Sequence, residues 1–89
     1  MMMLKVGDVV RSQFGHDAGK IFLVIDLAAE YIVIANGRHR KLETAKRKKV
    51  KHVQKVGSIG DIIIGTLTNP SLWKSLEPFR EKEACQKKM

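Results

Sequence analysis

The sequence predicts a mainly β domain, a small five-stranded antiparallel barrel followed by a short C-terminal helix. Short runs rich in β-branched residues alternate with glycine-containing turns in the first half of the chain, and a helical pattern occurs only in the last third. A chain of 89 residues is expected to form a single folded unit with a thin core. We expect the barrel at residues 1–54, and a linker and helical extension at residues 55–89.

The first two predicted strands are joined by a loop with a glycine at each end. Residues 9–14 alternate roughly between apolar and polar side chains, whereas residues 20–27 form a continuous apolar run. Such a run is typical of a strand with one face in the core and the other under a neighbouring loop or helix. Gly15 and Gly19 fit backbone positions that need a positive φ. We expect two aromatic side chains in the core, Phe14 and Phe22.

Three further short strands complete the predicted barrel. Residues 31–34 form the third strand, and the Asn-Gly dipeptide that follows is a strong signal for a type I′ hairpin turn. Residues 38–42 should therefore pair back as the fourth strand. A polar, basic loop is expected at residues 43–49 and a fifth strand at residues 50–53.

The C-terminal part predicts a linker and then a helix. Residues 55–60 have a linker-like composition, and residues 61–65 fit a short strand or one helical turn equally well. Asn69 can cap a helix with Pro70 at its first position, and Pro78 should interrupt or restart it. The spacing predicts one apolar helix face, made by Leu72, Leu76 and Phe79. Trp73 either packs this helix on the barrel or offers a surface to a partner.

Charge is the most informative feature for function. The chain carries a net charge of +8 and has a pI near 9.9. Residues 38–52 hold eight Lys or Arg and one Glu, and so account for +7 of that charge. Uniform, local positive charge favours contact with phosphate. The alternative is a solvated strand edge, on which lysines keep the chain soluble and oppose edge-to-edge pairing. Charge alone does not choose between RNA, DNA and an anionic membrane.

Several classes of protein do not fit the sequence. Cys85 is the single cysteine, so no intramolecular disulfide or cysteine-based zinc site is expected. The apolar runs are far shorter than a membrane span and no signal peptide is evident, so we expect a cytoplasmic protein that does not enter the membrane. The three histidines lie far apart in sequence, and no nucleophile is accompanied by a base and an orienting group. We therefore expect no metal, no cofactor and no enzymatic activity.

Three segments carry a resemblance to a known family. VGDVVRSQFGHDAGK-IFLVID, YIVIANG and RKLETAKRKKVKHV together resemble the KOW domain, and are most similar to KOW-containing RNA-binding proteins related to large-subunit ribosomal proteins of archaeal and eukaryotic ribosomes. The resemblance covers about residues 5–54. It implies an SH3-like β-barrel that binds RNA, often ribosomal RNA, through its turn loops and basic edge.

The resemblance also implies which residues would contact RNA. Where family members commonly carry basic residues in the loop, this chain has His16 and Ala18. We therefore expect residues 38–52 to contribute more to RNA binding than the loop does. The implied RNA-binding residues are Arg11 on the first strand, Gly15, His16, Asp17, Gly19 and Lys20 in the loop, Arg38, Arg40 and Lys41 in the basic strand, and Lys46, Arg47, Lys48, Lys49, Lys51 and His52 in the arm.

Aromatic residues are sparse, so we expect structured RNA to be recognised by shape and backbone rather than by stacking on unpaired bases. An alternative function is an SH3-like protein-interaction module of a translation or transcription complex, which would dock through Leu72, Trp73, Leu76 and Phe79. Binding to duplex DNA fits the charge, but no predicted recognition helix carries the basic residues.

Overall fold

The computed structural model describes residues 4–60 and 64–80. Five strands form one antiparallel sheet in the order β4-β3-β2-β1-β5, which confirms the mainly β class and the five-stranded antiparallel arrangement. The strands are β1 Asp8–Ser12, β2 Ile21–Leu27, β3 Tyr31–Ala35, β4 Lys46–Lys49 and β5 Val53–Ser58. A short helix, α1 Asn69–Ser75, follows, and single 3-10 turns occur at Leu42–Thr44, Val50–His52 and Ile64–Thr66. Within the described residues no ladder joins β4 to β5, so the sheet is not closed.

Each face of the sheet carries a buried apolar cluster. One face packs an apolar cluster of Val10, Phe22, Val24, Ile32, Ile34 and Val53. The opposite face carries Val9, Ile21, Leu23 and Ala35, which pack against Leu72 and Leu76 of the C-terminal segment. Successive side chains of a strand point to opposite faces, so a strand buried on both sides needs an unbroken apolar sequence. The interpretation of the apolar run in β2 is thereby confirmed.

The predicted fourth strand at residues 38–42 is wrong, and so is the loop predicted at residues 46–49. Within the described residues only glycines have a positive φ, so Asn36 does not adopt the type I′ conformation. Its side-chain Oδ1 instead accepts the backbone N–H groups of Arg38 and Arg40, at 3.1 and 3.0 Å. These bonds fold residues 37–40 into a compact loop, and the chain pairs with β3 only when it reaches β4.

The predicted fifth strand and linker also need correction. Val50–His52 is a 3-10 turn, and Val53–Ser58, which includes most of the expected linker, is β5 paired with β1. Gly57 lies in this strand because it passes under the Phe79 ring, where an added Cβ atom would overlap the ring. The register shifts between Val9 and Val10, so β5 lacks the regular alternation that identifies a strand from sequence.

The helix is confirmed, but its cap is different. Thr68 is the N-cap, and its side chain and that of Ser71 form a capping box. Asn69, the predicted cap, lies inside the helix and accepts the backbone N–H of Leu42 at 2.8 Å. The apolar face is confirmed, since Leu72 and Leu76 are buried and Phe79 packs against the same cluster. Residues 77–80 are helical again after the break, as Pro78 predicts.

Two expectations in the first hairpin are confirmed and one is wrong. Gly15 and Gly19 have φ values of +88° and +87°, and Phe22 is buried. Phe14 is 56% exposed, because β1 ends at Ser12 and the chain leaves the sheet before reaching it. Of the segment at residues 61–65, residues 61–63 lie outside the described residues and the rest belongs to a 3-10 turn. No helix in the described part of the chain is long and apolar enough to cross a membrane.

Candidate nucleic-acid interface

A network around Asp17 fixes the loop between β1 and β2. The Asp17 Oδ1 atom accepts hydrogen bonds from the Ser12 hydroxyl and from Lys48 Nζ, each at 2.9 Å. Lys46 Nζ lies 3.6 Å from the other carboxylate oxygen. Lys48 also donates to the carbonyl oxygen of Phe14 at 2.6 Å. The loop is therefore tied to β4, a strand some thirty residues further along the chain.

The same contacts determine the ionisation of Asp17. Burial alone would raise the pKa of its carboxyl group, but the hydrogen bonds from Lys48 and Ser12 and the charges of Lys48 and Lys46 outweigh this and lower the pKa. Asp17 is thus an ionised side chain that anchors the loop, and its negative charge is compensated by Lys46 and Lys48. It holds the loop and is not a free acid available for catalysis.

The loop between β3 and β4 is fixed by a neutral side chain. Asn36 is buried, accepts two backbone N–H groups of its own loop, and donates through Nδ2 to the carbonyl oxygen of Ile21 at 3.4 Å. Gly37 follows with a φ of +84° and fits closely against α1, where an added Cβ atom would overlap the carbonyl oxygen of Asn69. Residues 38–41 are thereby held beside the β1–β2 loop.

These two loops and the start of β4 enclose a pocket of about 240 Å³. It is lined by His16, Asp17, Lys20, Phe22, His39, Arg40 and Lys46. Three of these side chains are cationic and two are imidazoles, whereas the single carboxylate accepts hydrogen bonds from Ser12 and Lys48 and lies 3.6 Å from Lys46 Nζ. We call this concave surface the cationic pocket. Its charge and shape suit an anionic group such as a phosphate.

The ionisation of His39 reflects its partial burial and the cations around it, of which Lys20 also lines the cationic pocket. Partial burial and then the charges of Lys20, Arg38 and Arg80 lower the pKa of the imidazole. Two of these cations come from different loops, and the third follows α1. An anion bound in the pocket would oppose these charges and favour protonation of His39, so the side chain would become a further donor to the ligand.

The predicted basic arm, residues 46–52, begins with strand β4, whose side chains point alternately to the two faces of the sheet. Lys46 and Lys48 lie opposite Ile34 and Ile32, on the side of the Asp17 network, and Lys48 is 7% exposed. Arg47 and Lys49 point the other way and are exposed. Lys48 is therefore part of the fold, and it does not belong to an exposed cationic surface.

The other predicted RNA-binding residues fall into three groups. His16, Lys20 and Arg40 converge on the cationic pocket, and Gly15 and Gly19 shape the loop that borders it. Arg11 on β1 donates from its guanidinium to the side chain of Gln54 on β5. The remaining cations are separate from the pocket lining: Arg38, Lys41 and Lys51 are exposed, and His52 lies against Phe14.

The indole ring of Trp73 joins α1 to the β3–β4 loop. The Arg80 guanidinium lies 3.5 Å and that of Arg38 5.2 Å from the ring centroid, and His39 meets the ring edge-on at 5.5 Å between centroids. The packing role considered for Trp73 is thus observed. Leu72 and Leu76 are fully buried under the sheet, so they present no apolar surface on which a protein partner could dock.

His39 was absent from the predicted contacts although it lines the pocket. Its position between two predicted basic residues, Arg38 and Arg40, is the signal that could have included it. The sequence predicts Phe14 in the core. Its exposure follows from the end of β1 at Ser12, a boundary that the sequence does not mark. No group of three or more His, Cys, Asp or Glu side chains that could hold a metal ion occurs in residues 4–60 and 64–80.

The fold and the cationic pocket define a small mainly β domain with a positively charged concave surface. In comparisons with known proteins, no family model matches the chain, and no curated protein matches it significantly.

Proposed function

We propose that this protein is a non-enzymatic RNA-binding protein of the KOW type that contacts structured RNA, such as ribosomal RNA, in the cytoplasm. The observation that carries the proposal is the cationic pocket, where Lys20, Arg40 and Lys46 come together from three separate segments. Arg40 and Lys46 are six residues apart, but Lys20 precedes Arg40 by twenty residues and meets them only through the fold. Lysines that only keep a strand edge soluble would not need to meet cations from another loop, so this meeting favours a bound anion over the alternative of a solvated edge.

The geometry also supports an SH3-like barrel as the form of the sheet. β5 lies next to β1 rather than at the end of a simple meander, so the first and last strands are neighbours. Register shifts in β1–β5 and β2–β3 add local twist, which helps a sheet to curl. The 3-10 turn Val50–His52 leads directly from one edge strand to the other.

The distribution of charge outside the pocket fits the same function. Arg47 and Lys49 project from the outer face of β4, and Lys51 is exposed in the next turn. β4 is an edge strand, and exposed cations on an edge also oppose pairing with another chain. If RNA binding neutralises about four to six phosphates, the logarithm of the affinity should fall against the logarithm of salt concentration with a slope of about −3 to −5.

Reversal of charge in the pocket tests the proposal. The double variant Lys20→Glu and Arg40→Glu should abolish binding of a structured RNA in a filter assay and reduce the salt slope. Neither side chain contacts the Asp17 carboxylate, so the thermal unfolding midpoint should stay close to that of the wild type.

The matched control reverses two exposed lysines outside the pocket lining, with Lys5→Glu and Lys74→Glu. It changes the net charge equally and should retain most of the affinity. Equal losses for the two double variants would mean that net charge alone drives binding. Unchanged binding in the pocket variant would reject this site.

A further inference from the structure

Phe14 is an aromatic side chain displayed to solvent. It is 56% exposed, more than either other large exposed apolar residue in the described part of the chain, Val6 or Leu27. Its position in a loop between two strands contributes nothing to either apolar cluster. Single exposed apolar side chains are common on protein surfaces, so what distinguishes Phe14 is how the ring is held and what surrounds it.

The backbone that carries Phe14 is held firmly. Its carbonyl oxygen accepts a hydrogen bond from Lys48 Nζ at 2.6 Å, and the Ser12 hydroxyl oxygen, whose one proton is donated to Asp17, lies 3.1 Å away. Lys48 and Ser12 are both buried. Gly15 follows with a positive φ and turns the chain back towards β2. The ring is therefore presented from a fixed point, which reduces the entropy lost when a ligand stacks on it.

His52 supports the ring from one side. The two ring centroids are 4.8 Å apart with an angle of 51° between the planes. His52 is positioned by its own backbone, whose carbonyl oxygen accepts the N–H of Gln13 at 2.9 Å. The pair thus comes from two different segments, and forms a small aromatic surface at the junction of the β1–β2 loop and the Val50–His52 turn.

The surroundings of this pair are cationic and polar. Lys51 is exposed next to His52, and Arg11 and Gln13 on the segment before Phe14 both donate to the side chain of Gln54. An apolar protein surface placed here would have to cover these polar groups. A nucleotide offers a flat base to the ring and a phosphate to the cations.

We propose that Phe14, supported by His52, is a stacking platform for one unpaired base of RNA. The inference rests on the proposed RNA binding, and it adds to recognition by shape a contact that strengthens binding where the RNA offers an unpaired nucleotide. Cations of the pocket and the Val50–His52 turn hold the phosphate backbone, and the Phe14 ring takes the base.

The test compares single-stranded oligoadenylate containing 2-aminopurine with a blunt RNA duplex of equal phosphate number, at one ionic strength. Phe14→Leu keeps an apolar side chain but removes the aromatic face. It should weaken oligoadenylate binding by about tenfold or more while the duplex affinity stays unchanged. Phe14→Tyr should bind both RNAs like the wild type. The 2-aminopurine fluorescence should be quenched by the wild type and by Phe14→Tyr only.

Each outcome has a distinct meaning. Equal oligoadenylate binding by Phe14→Leu and the wild type, or a lack of quenching by the wild type, would overturn the stacking platform and leave the proposed function intact. An equal loss of both RNAs in Phe14→Leu, with an unchanged unfolding midpoint, would also overturn stacking. If the wild type binds neither these RNAs nor the structured RNA of the filter assay, the proposed function fails and the stacking platform fails with it.

Discussion

Two loops border the cationic pocket, and they are held in place by different chemistry. The β1–β2 loop is anchored by the ionised Asp17, which accepts hydrogen bonds from Ser12 and Lys48. The β3–β4 loop is anchored by Asn36, a buried amide that bonds two N–H groups of its own loop and one carbonyl oxygen of β2. One anchor depends on charge and on a distant strand, whereas the other is neutral and mostly local.

The difference indicates how a strongly basic protein can order a surface on which cations repel one another. Asp17 is the carboxylate that lines the pocket, and it lies between Lys46 and Lys48. It neutralises the buried Lys48 charge and leaves Lys20 and Arg40 to attract a ligand. Asn36 places Arg40 without adding negative charge, so the pocket stays positive.

Of the substitutions that compare the two loops, Gly37→Ala has the largest expected effect on stability. Gly37→Ala should lower the free energy of unfolding by about 2 to 5 kcal/mol, since a left-handed backbone costs about 1 to 2 kcal/mol and overlap with the Asn69 carbonyl adds the rest. Gly19→Ala has almost the same φ but nothing within 4 Å of the added Cβ atom, so it should cost only the backbone part. Urea denaturation of both variants measures the difference. Equal losses would show that α1 moves away from Gly37 at no cost.

The second prediction concerns the lysine that anchors the charged loop. Lys48→Met fits an apolar side chain beside Ile32 but leaves Asp17 without its closest cation, so we expect a loss of about 2 to 4 kcal/mol. Lys49→Met, one residue along on the exposed face of β4, should change stability by less than about 0.5 kcal/mol. Urea denaturation at neutral pH measures both. A negligible effect of Lys48→Met would mean that Lys48 does not stabilise the fold and is available to bind RNA.

The first half of the sheet could be predicted from the sequence because its signals are local. The apolar run of β2 and the β-branched β3 identify these strands without any knowledge of their partners. Gly15 and Gly19 were recognised because a positive φ is a property of the single residue. The apolar face of the C-terminal segment followed from its spacing for the same reason.

The second half depends on contacts between distant residues. The Asn-Gly dipeptide favours a tight hairpin, but the Asn36 side chain bonds Arg38 and Arg40 and Gly37 meets α1, so long-range packing overrides the local preference. The strand β4 then begins later than predicted. The site is affected in the same way. Composition locates the positive charge in residues 38–52, but the inward direction of Lys48 follows from its pairing with Ile32 and its contact with Asp17, neither of which is visible without the register.

The smallest predicted effect is a difference between Asp17 and Asn36 in how their contributions to stability depend on pH. The pKa of Asp17 is lowered in the folded protein below the ordinary value of an aspartate, so the folded state binds its proton less readily than the unfolded state does. The stabilisation by ionised Asp17 is therefore fully present above about pH 4 and is lost as the pH falls through the folded-state pKa. The stability difference between the wild type and Asp17→Asn should shrink over that range. The difference between the wild type and Asn36→Ala should not follow the ionisation of Asp17, because the amide itself does not titrate and its titratable neighbour is the His39 ring, 3.4 Å from Asn36 Nδ2. Urea denaturation from neutral to acidic pH measures both differences, and a parallel decline in the two would show that acid weakens the whole fold rather than the charged anchor.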